Sequence, residues 1–366
     1  MVDVQSVGAG GGSIAQVSQG VLQVGPRSAG AVPGPACYGR GGHHATVTDA
    51  DAVLGYLPTT GFAAGRMRLD VEAARDAIER DVARPLGMDV VRAAWSMERI
   101  VNAYMADATR RVLSEHGADP RTLPLIAYGG NGGVHAWAIA AELGLSRYLV
   151  PRSAPGLSAL GVLIADYRID LLKAYVAPVR SVDPSRICAL MREACEETQR
   201  DLVVPAGLPD DRVVLETFVQ MSYPGQSFDL SVPCPEGETL GSESLAALAG
   251  RFHDVHESAR GFAFREQEPI VRGMRLVGRG RTPKPLRAAE LGDTTTAADA
   301  CTGRRDVYFG GGFVSVPLYA GPRLSARIEI EGPAVIEESF TAVVLPPRHR
   351  ARLDDLGNYD VTILQE

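Results

Sequence analysis

The chain has 366 residues, of which 45 % are hydrophobic and 22 % charged, an ordinary globular composition long enough for two or three cores. The formal net charge of −7 speaks against bulk nucleic-acid binding and against attraction to anionic membranes. Lys173 and Lys284 are the only lysines, which excludes a P-loop, because that phosphate cradle needs a lysine directly after its glycines.

Cys37, Cys188, Cys195, Cys234 and Cys301 are odd in number and scattered. That spacing argues against a disulfide framework and a structural zinc site, and fits a reducing cytoplasm. No basic segment followed by an apolar stretch opens the chain, so no signal peptide is expected. No run reaches the ~18 apolar residues of a membrane helix.

Residues 1–60 are rich in glycine, and Val2, Val4, Val7, Ile14, Val17, Val21, Leu22 and Val24 bracket the glycines. This predicts a strand, a glycine loop at Gly8–Ser13, a second strand and a turn. Val71, Ala74, Ile78 and Val82 then fall at helical spacing, and a second helix is predicted from about Val90 to His116, stopped by Gly117. Leu123 to Tyr128 reads as a short buried strand. It runs into Gly129-Gly130-Asn131-Gly132-Gly133, then a helix from about Val134 to Leu143, then a strand at Tyr148–Val150. Strand, glycine turn, helix, strand is an α/β layout. A short helix is expected over 157–166 and a longer one from Arg186 to Leu202. Beyond Val213 the pattern becomes strand-like at Glu216–Met221, Ser227–Val232, Ile270–Val277, Val307–Phe309 and Ala334–Leu345. A helix near Ser244–Ser258 interrupts it. The second part is therefore α+β, with the boundary near 175–210.

Several motifs bear on chemistry. Gly8-Ala9-Gly10-Gly11-Gly12-Ser13 can present backbone N–H groups to an anion. A tight turn against a neighbouring strand explains the same glycines equally well, and Ser13 stands where a dinucleotide fingerprint needs its third glycine. The Tyr128–His135 turn is a stronger signal, because paired glycines between a strand and a helix leave bare backbone and a helix N-terminus at a sheet edge. A close helix–strand crossing is the competing explanation, and His135 alone is a cap or packing residue. Gly156-Leu157-Ser158-Ala159-Leu160 lacks the last glycine of a nucleophile elbow, so Ser158 is expected at a helix start.

Cys37, Tyr38, Arg40, His43, His44, Asp49 and Asp51 form the densest reactive cluster. Metal ligands are drawn from these residue types, yet sequential histidines diverge, and a polar surface turn with Thr48-Asp49 capping it is the plainer reading. Within the cluster Asp49 and Arg40 are the catalytic candidates, and no metal is assigned. His253 and His256 share a helix face with Asp254 and Glu257, but no third ligand is evident, and a solvated charged face is expected.

Taken together these segments resemble the hydantoinase A / 5-oxoprolinase family, including N-methylhydantoinase and carboxylase subunits. Val7–Ile14, the long stretch Val24–Gly42, Thr46–Gly55, Gly129–His135, Pro155–Gly161, Tyr223–Phe228 and Gly332–Glu338 occur in matching order. The resemblance implies a partial actin-like ATPase (ribonuclease H-like) core over 1–175 and a hydantoinase-type α+β domain over 176–366. It implies ATP and Mg2+, with Gly129, Gly130, Asn131, Gly132 and His135 at the nucleotide and Gly8, Gly10, Gly11, Gly12 and Ser13 lining the cleft. Phosphoryl transfer to an amide or enolate oxygen would activate the substrate. Asn131 and Gly133 depart from the alanine and proline common in the family. Family phosphate loops precede the Gly8–Ser13 segment, so this chain is expected to supply one side of the cleft. The expected partners are the N-terminal hydantoinase A portion on a separate chain, a hydantoinase B-like subunit, and a small cyclic amide or ketone. The resemblance leaves three functions open: a component of an ATP-dependent cyclic-amide hydrolase, a subunit of an ATP-dependent ketone carboxylase, or a non-enzyme, either a truncated, catalytically inactive family member or a binding module.

Overall fold

The computed structural model describes residues 5–234, 242–284, 291–294 and 296–364. Contacts group Met1–Leu160 with Arg287–Glu366, and Gly161–Leu286 separately. This spatial grouping differs from a linear division at 175/176. The last strands of the chain return to the first unit because Asn358–Ile363 pairs antiparallel with Arg147–Pro151.

The first unit begins with a hairpin, Ser13–Ser18 against Val21–Ser28. Its two-residue turn puts both Gln19 and Gly20 at positive φ, 52° and 78°, the hand that matches strand twist. The expected strand before the glycine loop is not formed at Val7, and Val2 and Val4 lie outside the described residues. A short helix, Val47–Val53, follows, started by a capping box in which Thr46 and Asp49 satisfy each other's backbone N–H groups. Helix Val71–Ile78 starts on Asp70, whose carboxylate accepts from Ala73 N–H.

The long helix Val90–Glu115 starts in the same way, with Asp89 accepting from Arg92 N–H. Its apolar stripe of Ala93, Ala94, Met97, Val101 and Ala106 is buried, each large side chain contributing about 1.5–3 kcal/mol. Glu98 and Asn102 lie on that buried stripe as well.

Helix Gly132–Leu143 ends at Gly144, which takes the left-handed conformation at φ 67°. A five-stranded sheet runs in the order Glu329–Glu331, His349–Leu353, Asn358–Ile363, Arg147–Pro151, Leu125–Ile126. The predicted strand Leu123–Tyr128 shrinks to Leu125–Ile126 at the sheet edge, and it is not buried: Ile126 and Tyr128 are exposed. A four-stranded sheet joins Ala342–Leu345, Ala334–Glu337, Phe313–Ala320 and Cys301–Tyr308 in that order. The predicted continuous strand Ala334–Leu345 is a hairpin of two.

The second unit is a sheet in the order Tyr167–Pro178, Ile270–Gly280, Val213–Ser222, Leu230–Cys234. Helices Pro184–Thr198 and Ser242–Arg260 accompany it. Its core gathers Ile187, Val219, Met221, Tyr223, Leu248, Phe252 and Val271. Among the described residues, no helix is long and apolar enough to cross a membrane.

Candidate functional site

Two glycine segments far apart in sequence form the walls of one cavity in the first unit. The first wall is the Gly8–Ser13 loop. Gly10 N–H donates to Ser13 Oγ at 3.0 Å and Ser13 Oγ–H donates to Gly8 O at 3.3 Å, which folds the loop on itself. The Gly11 carbonyl accepts from both the N–H and the hydroxyl of Thr48, at 2.8 and 2.9 Å. A Cβ on Gly11 would stand 2.7 Å from Thr48 Oγ1 and 3.1 Å from Asn131 Nδ2. Glycine is required there so that the loop can touch the second wall.

That second wall is the Gly129–His135 turn. Gly129 sits at φ 91°, and its N–H donates to Ala154 O at 2.8 Å. The Asn131 carbonyl accepts from the N–H groups of Val134 and His135, opening helix Gly132–Leu143. A Cβ on Gly133 would lie 2.4 Å from Ala342 O. These glycines allow a close helix–strand crossing and leave bare backbone at a helix N-terminus.

Between the walls lies a cavity of about 470 Å³, closed on a third side by Met105, Thr109 and Val112 of the long helix. Of the predicted nucleotide residues, Gly10, Gly11, Gly129, Asn131, Gly132 and His135 line it. Gly8 instead faces Pro26 of the hairpin, Gly12 faces Ser28, and Ser13 is buried in the loop's own hydrogen bonds. Gly130 is exposed beside the turn.

Beneath the cavity is a buried polar cluster of Asp51, Glu98, Asn102 and His135, none more than 3 % exposed. Asn131 Nδ2 donates to Asp51 Oδ2 at 2.7 Å and lies 3.3 Å from His135 Nε2. The His135 ring stands between two carboxylates, with Nε2 3.7 Å from Asp51 Oδ2 and Nδ1 3.6 Å from Glu98 Oε1. Asn102 Nδ2 donates to Glu98 Oε1. Asp51 Oδ1, Glu98 Oε2, Asn102 Oδ1 and His135 Nδ1 are buried with no hydrogen-bond partner. An unpaired buried polar group costs about 1–3 kcal/mol, so four together mark a place where stability is given up.

The charges in this cluster are shifted accordingly. Burial pushes the Asp51 carboxyl up to about 7, with Glu98 and Asp49 adding to the rise and His135 and Asn131 opposing it. For His135 burial works against the charged ring, but the facing carboxylates of Asp51 and Glu98 outweigh it and raise its pKa. In the sequence Asp51 stands out only as one member of the reactive cluster. The sequence signal of Glu98 and Asn102 is their four-residue spacing on an apolar helix stripe.

Asp49, a catalytic candidate from its sequence neighbourhood, is held in a buried structural clamp. Its carboxylate accepts from Ala36 N–H at 3.2 Å, Cys37 N–H at 2.7 Å, Thr46 N–H at 2.9 Å and Thr46 Oγ–H at 2.8 Å. Four donors use up its lone pairs, so it fastens the Pro35–Tyr38 turn to the Val47–Val53 helix and does not line the cavity. Arg40 is exposed and does not line it either. The surface-turn reading of the wider cluster holds for His43 and His44, which are exposed, but not for Cys37, Asp49 and Asp51, which are buried. Ser158 is exposed in the first turn of helix Leu157–Ile164, a helix start and no elbow.

In the second unit the expected solvated face is wrong for two residues. His253 is 8 % and His256 0 % exposed. Phe264 N–H donates to Tyr223 Oη at 2.8 Å, which leaves the Tyr223 hydroxyl proton for His253 Nδ1 at 2.6 Å. His256 holds Gln226 at 2.8 Å and the Phe262 carbonyl at 2.8 Å. Asp254 and Glu257 do face solvent, where both pair with Arg265.

Comparison with known proteins places this geometry in context. A hydantoinase/oxoprolinase family model matches residues 1–171, and the hydantoinase/oxoprolinase C-terminal domain model matches residues 185–359. The chain is 38 % identical to the caprolactamase subunit alpha of Pseudomonas jessenii over 99 % of its own length and 53 % of that protein. The crystal structure of the ATP-dependent caprolactamase from that organism superposes with a TM-score of 0.81 at 35 % identity, over 99 % of this chain and 53 % of that one. 5-Oxoprolinase 1 of Arabidopsis thaliana is 31 % identical over 99 % of this chain and 29 % of that protein. The nucleotide-free structure of acetone carboxylase matches with a TM-score of 0.79 at 28 % identity, over 98 % of this chain and 52 % of that one. The chain thus spans about half, or less, of the length of the relatives it matches. The mixed α/β fold is that of the actin-like ATPases to which these two structures belong.

Proposed function

The chain belongs to the hydantoinase/oxoprolinase family, and from that premise we propose that it is a component of an ATP-dependent enzyme that opens a cyclic amide. Hydantoins, N-methylhydantoins and 5-oxoproline are the substrate class. The observation that carries this reading is the cavity walled by both glycine segments, in a chain that aligns over 99 % of its length with an ATP-dependent caprolactamase.

The residues present fit a nucleotide. Positions where a Cβ would meet nothing within 4 Å, Gly10 and Gly129, face the cavity and leave room for a flat or bulky group. The N-terminus of helix Gly132–Leu143 opens at the same place, where its free N–H groups and dipole favour negative charge. Gly10, Gly11, Gly129, Asn131 and Gly132 would hold ATP there. ATP bound there would supply a phosphoryl group to the amide oxygen, which would make the carbonyl carbon more open to attack by water. The chain's own contribution is to bind and orient, with the apolar side chains Met105 and Val112 shielding one side from water. For magnesium, no group of three or more His, Cys, Asp or Glu side chains suited to an ion occurs among the described residues, so no step is assigned to it here.

Its caprolactamase relative is named a subunit, which supports action in a complex, and we propose a hydantoinase A N-terminal portion and a hydantoinase B-like chain as its partners. A second reading, a subunit of a ketone carboxylase, is favoured by the match to acetone carboxylase. ATP hydrolysis measured with 5-oxoproline, hydantoin, caprolactam and acetophenone separates the two, using the chain alone and with those partners. Turnover stimulated by cyclic amides supports the first reading, and turnover with the ketone and bicarbonate supports the second. No turnover in any combination leaves a binding module without catalysis.

A further inference from the structure

We infer that Asn131 is a specificity-determining residue of this cavity, presenting its carboxamide oxygen to a hydrogen-bond donor on the nucleoside part of the ligand, and that Asp51 and His135 are the positioning residues that hold it so. The inference rests on the nucleotide reading above.

Asn131 has two amide hydrogens and one carbonyl oxygen to place. The amide nitrogen is the atom turned to Asp51 Oδ2, 2.7 Å away, an oxygen that accepts both in the carboxylate and in the acid with its proton on the unpartnered Oδ1. The opposite flip would set two acceptors against each other. The same nitrogen lies 3.3 Å from His135 Nε2, whose ring also faces Glu98 Oε1 with Nδ1 at 3.6 Å. The nitrogen end of the carboxamide therefore faces the buried cluster below the cavity. The carboxamide is also packed against bare backbone, because a Cβ on Gly11 would come within 3.1 Å of its nitrogen. Asn131 lines the cavity and is half-buried. Its oxygen accepts no hydrogen bond from the described residues and remains for a ligand.

An acceptor fixed in this way selects. Phosphate oxygens are acceptors and gain nothing from it, whereas the exocyclic amine of adenine and the ribose hydroxyls are donors. Asn131 therefore faces the base or the sugar and not the phosphates. A buried, oriented acceptor discriminates against a ligand lacking the matching donor, because desolvation of the acceptor then goes uncompensated.

The test is equilibrium binding to the full chain of ATP, purine riboside triphosphate, 2′-deoxy-ATP and 3′-deoxy-ATP. Purine riboside triphosphate lacks only the exocyclic amine, and the two deoxy nucleotides each lack one hydroxyl. ATP is expected to bind about tenfold tighter than one of the three analogues. Asn131→Ala should weaken ATP by about the same factor, leave that analogue unchanged, and so erase the preference. Asp51→Ala should blunt the preference, and Asp51→Asn, whose carboxamide oxygen can still accept from Asn131, should restore it. Circular dichroism checks that each variant folds. If Asp51→Ala does not fold, the Asn131→Ala and Asp51→Asn pair decides alone. Equal weakening of ATP and every analogue by Asn131→Ala, or no weakening at all, overturns the inference while leaving the nucleotide reading intact. No binding of any of the four by the wild-type chain overturns the nucleotide reading, and this inference with it.

Discussion

Asn131 and Asp51 meet through a 2.7 Å hydrogen bond across 80 residues of sequence. The bond ties the start of helix Gly132–Leu143 to the helix Val47–Val53, directly under the cavity. Because Asp51 is fully buried, its charge depends on that bond and on His135. The same carboxylate therefore links the shape of the cavity wall to pH.

That link has a definite sign. The Asp51 pKa, pushed up to about 7, lies above the value of about 4 expected in the unfolded chain. The fold thus binds this proton more tightly than the unfolded state does. The resulting stability is fully present below about pH 4 and is lost as pH rises through about 7. His135, also raised, adds in the same direction, losing its contribution as pH passes above its ordinary value. Asp51→Asn removes the Asp51 part. Its unfolding free energy relative to wild type should rise by roughly 1–3 kcal/mol between pH 5 and pH 8.5. Urea titrations of both proteins across that range check it, and parallel pH profiles would sink the assignment.

Glycine positions in the two walls separate binding from folding. Gly10 lines the cavity and a Cβ there meets nothing within 4 Å. Gly10→Val should fill ligand space and weaken ATP by about tenfold or more, with little change in melting temperature. Gly133→Ala should do the reverse, because its Cβ would lie 2.4 Å from Ala342 O, at a cost of about 1–3 kcal/mol. Gly130→Val, on the exposed shoulder, should fall between them in its effect on ATP. Calorimetric titration with ATP beside thermal melts reads both quantities. Equal effects of the Gly10 and Gly133 variants on both readouts would refute the division.

Asp49 and Arg40 give a third contrast. Asp49→Ala leaves the N–H groups of Ala36, Cys37 and Thr46 and the Thr46 hydroxyl without their shared acceptor. The loss should be about 3–5 kcal/mol. Arg40→Ala, at an exposed position, should stay within about 0.5 kcal/mol. If Asp49→Ala melts like wild type, the carboxylate is not the clamp described here, and a chemical role for it becomes the better account.

Much of the site's outline was legible because glycine leaves a trace wherever backbone approaches backbone. Gly11 and Gly133 are two such contacts, and both fell inside motifs singled out from sequence. The floor was harder to read. Asp49 and Asp51 are two positions apart on one helix, so they point to opposite sides, and nothing in their spacing says which side faces the cavity. Glu98 and Asn102 carried a signal, since a carboxylate and an amide on the stripe of Ala94, Met97 and Val101 must be either paired or functional. The return of Asn358–Ile363 to Arg147–Pro151 was not legible, because pairing across such a separation leaves no local pattern. The burial of His253 and His256 leaves no local pattern for the same reason. Their acidic neighbours Asp254 and Glu257 suggested solvent, while Tyr223 and Gln226, brought in by a distant strand end, bury them.

The Tyr223–His253 pair offers the last test. The Tyr223 hydroxyl accepts a hydrogen bond from Phe264 N–H and directs its own hydrogen to His253 Nδ1. That fixes the ring as the neutral tautomer with its hydrogen on Nε2. Burial, with the nearby Arg265 guanidinium, lowers the His253 pKa and holds the ring in that neutral form. Tyr223→Phe removes the relay while keeping the aromatic contacts with Phe252 and Phe264. The Phe264 N–H and His253 Nδ1 then lose their partner, for a loss of about 1–3 kcal/mol. Nitrogen NMR of the histidine rings should show a single Nε2–H tautomer for His253 in wild type and a mixture in the variant. An unchanged tautomer with unchanged stability would mean that the hydroxyl does not orient this ring.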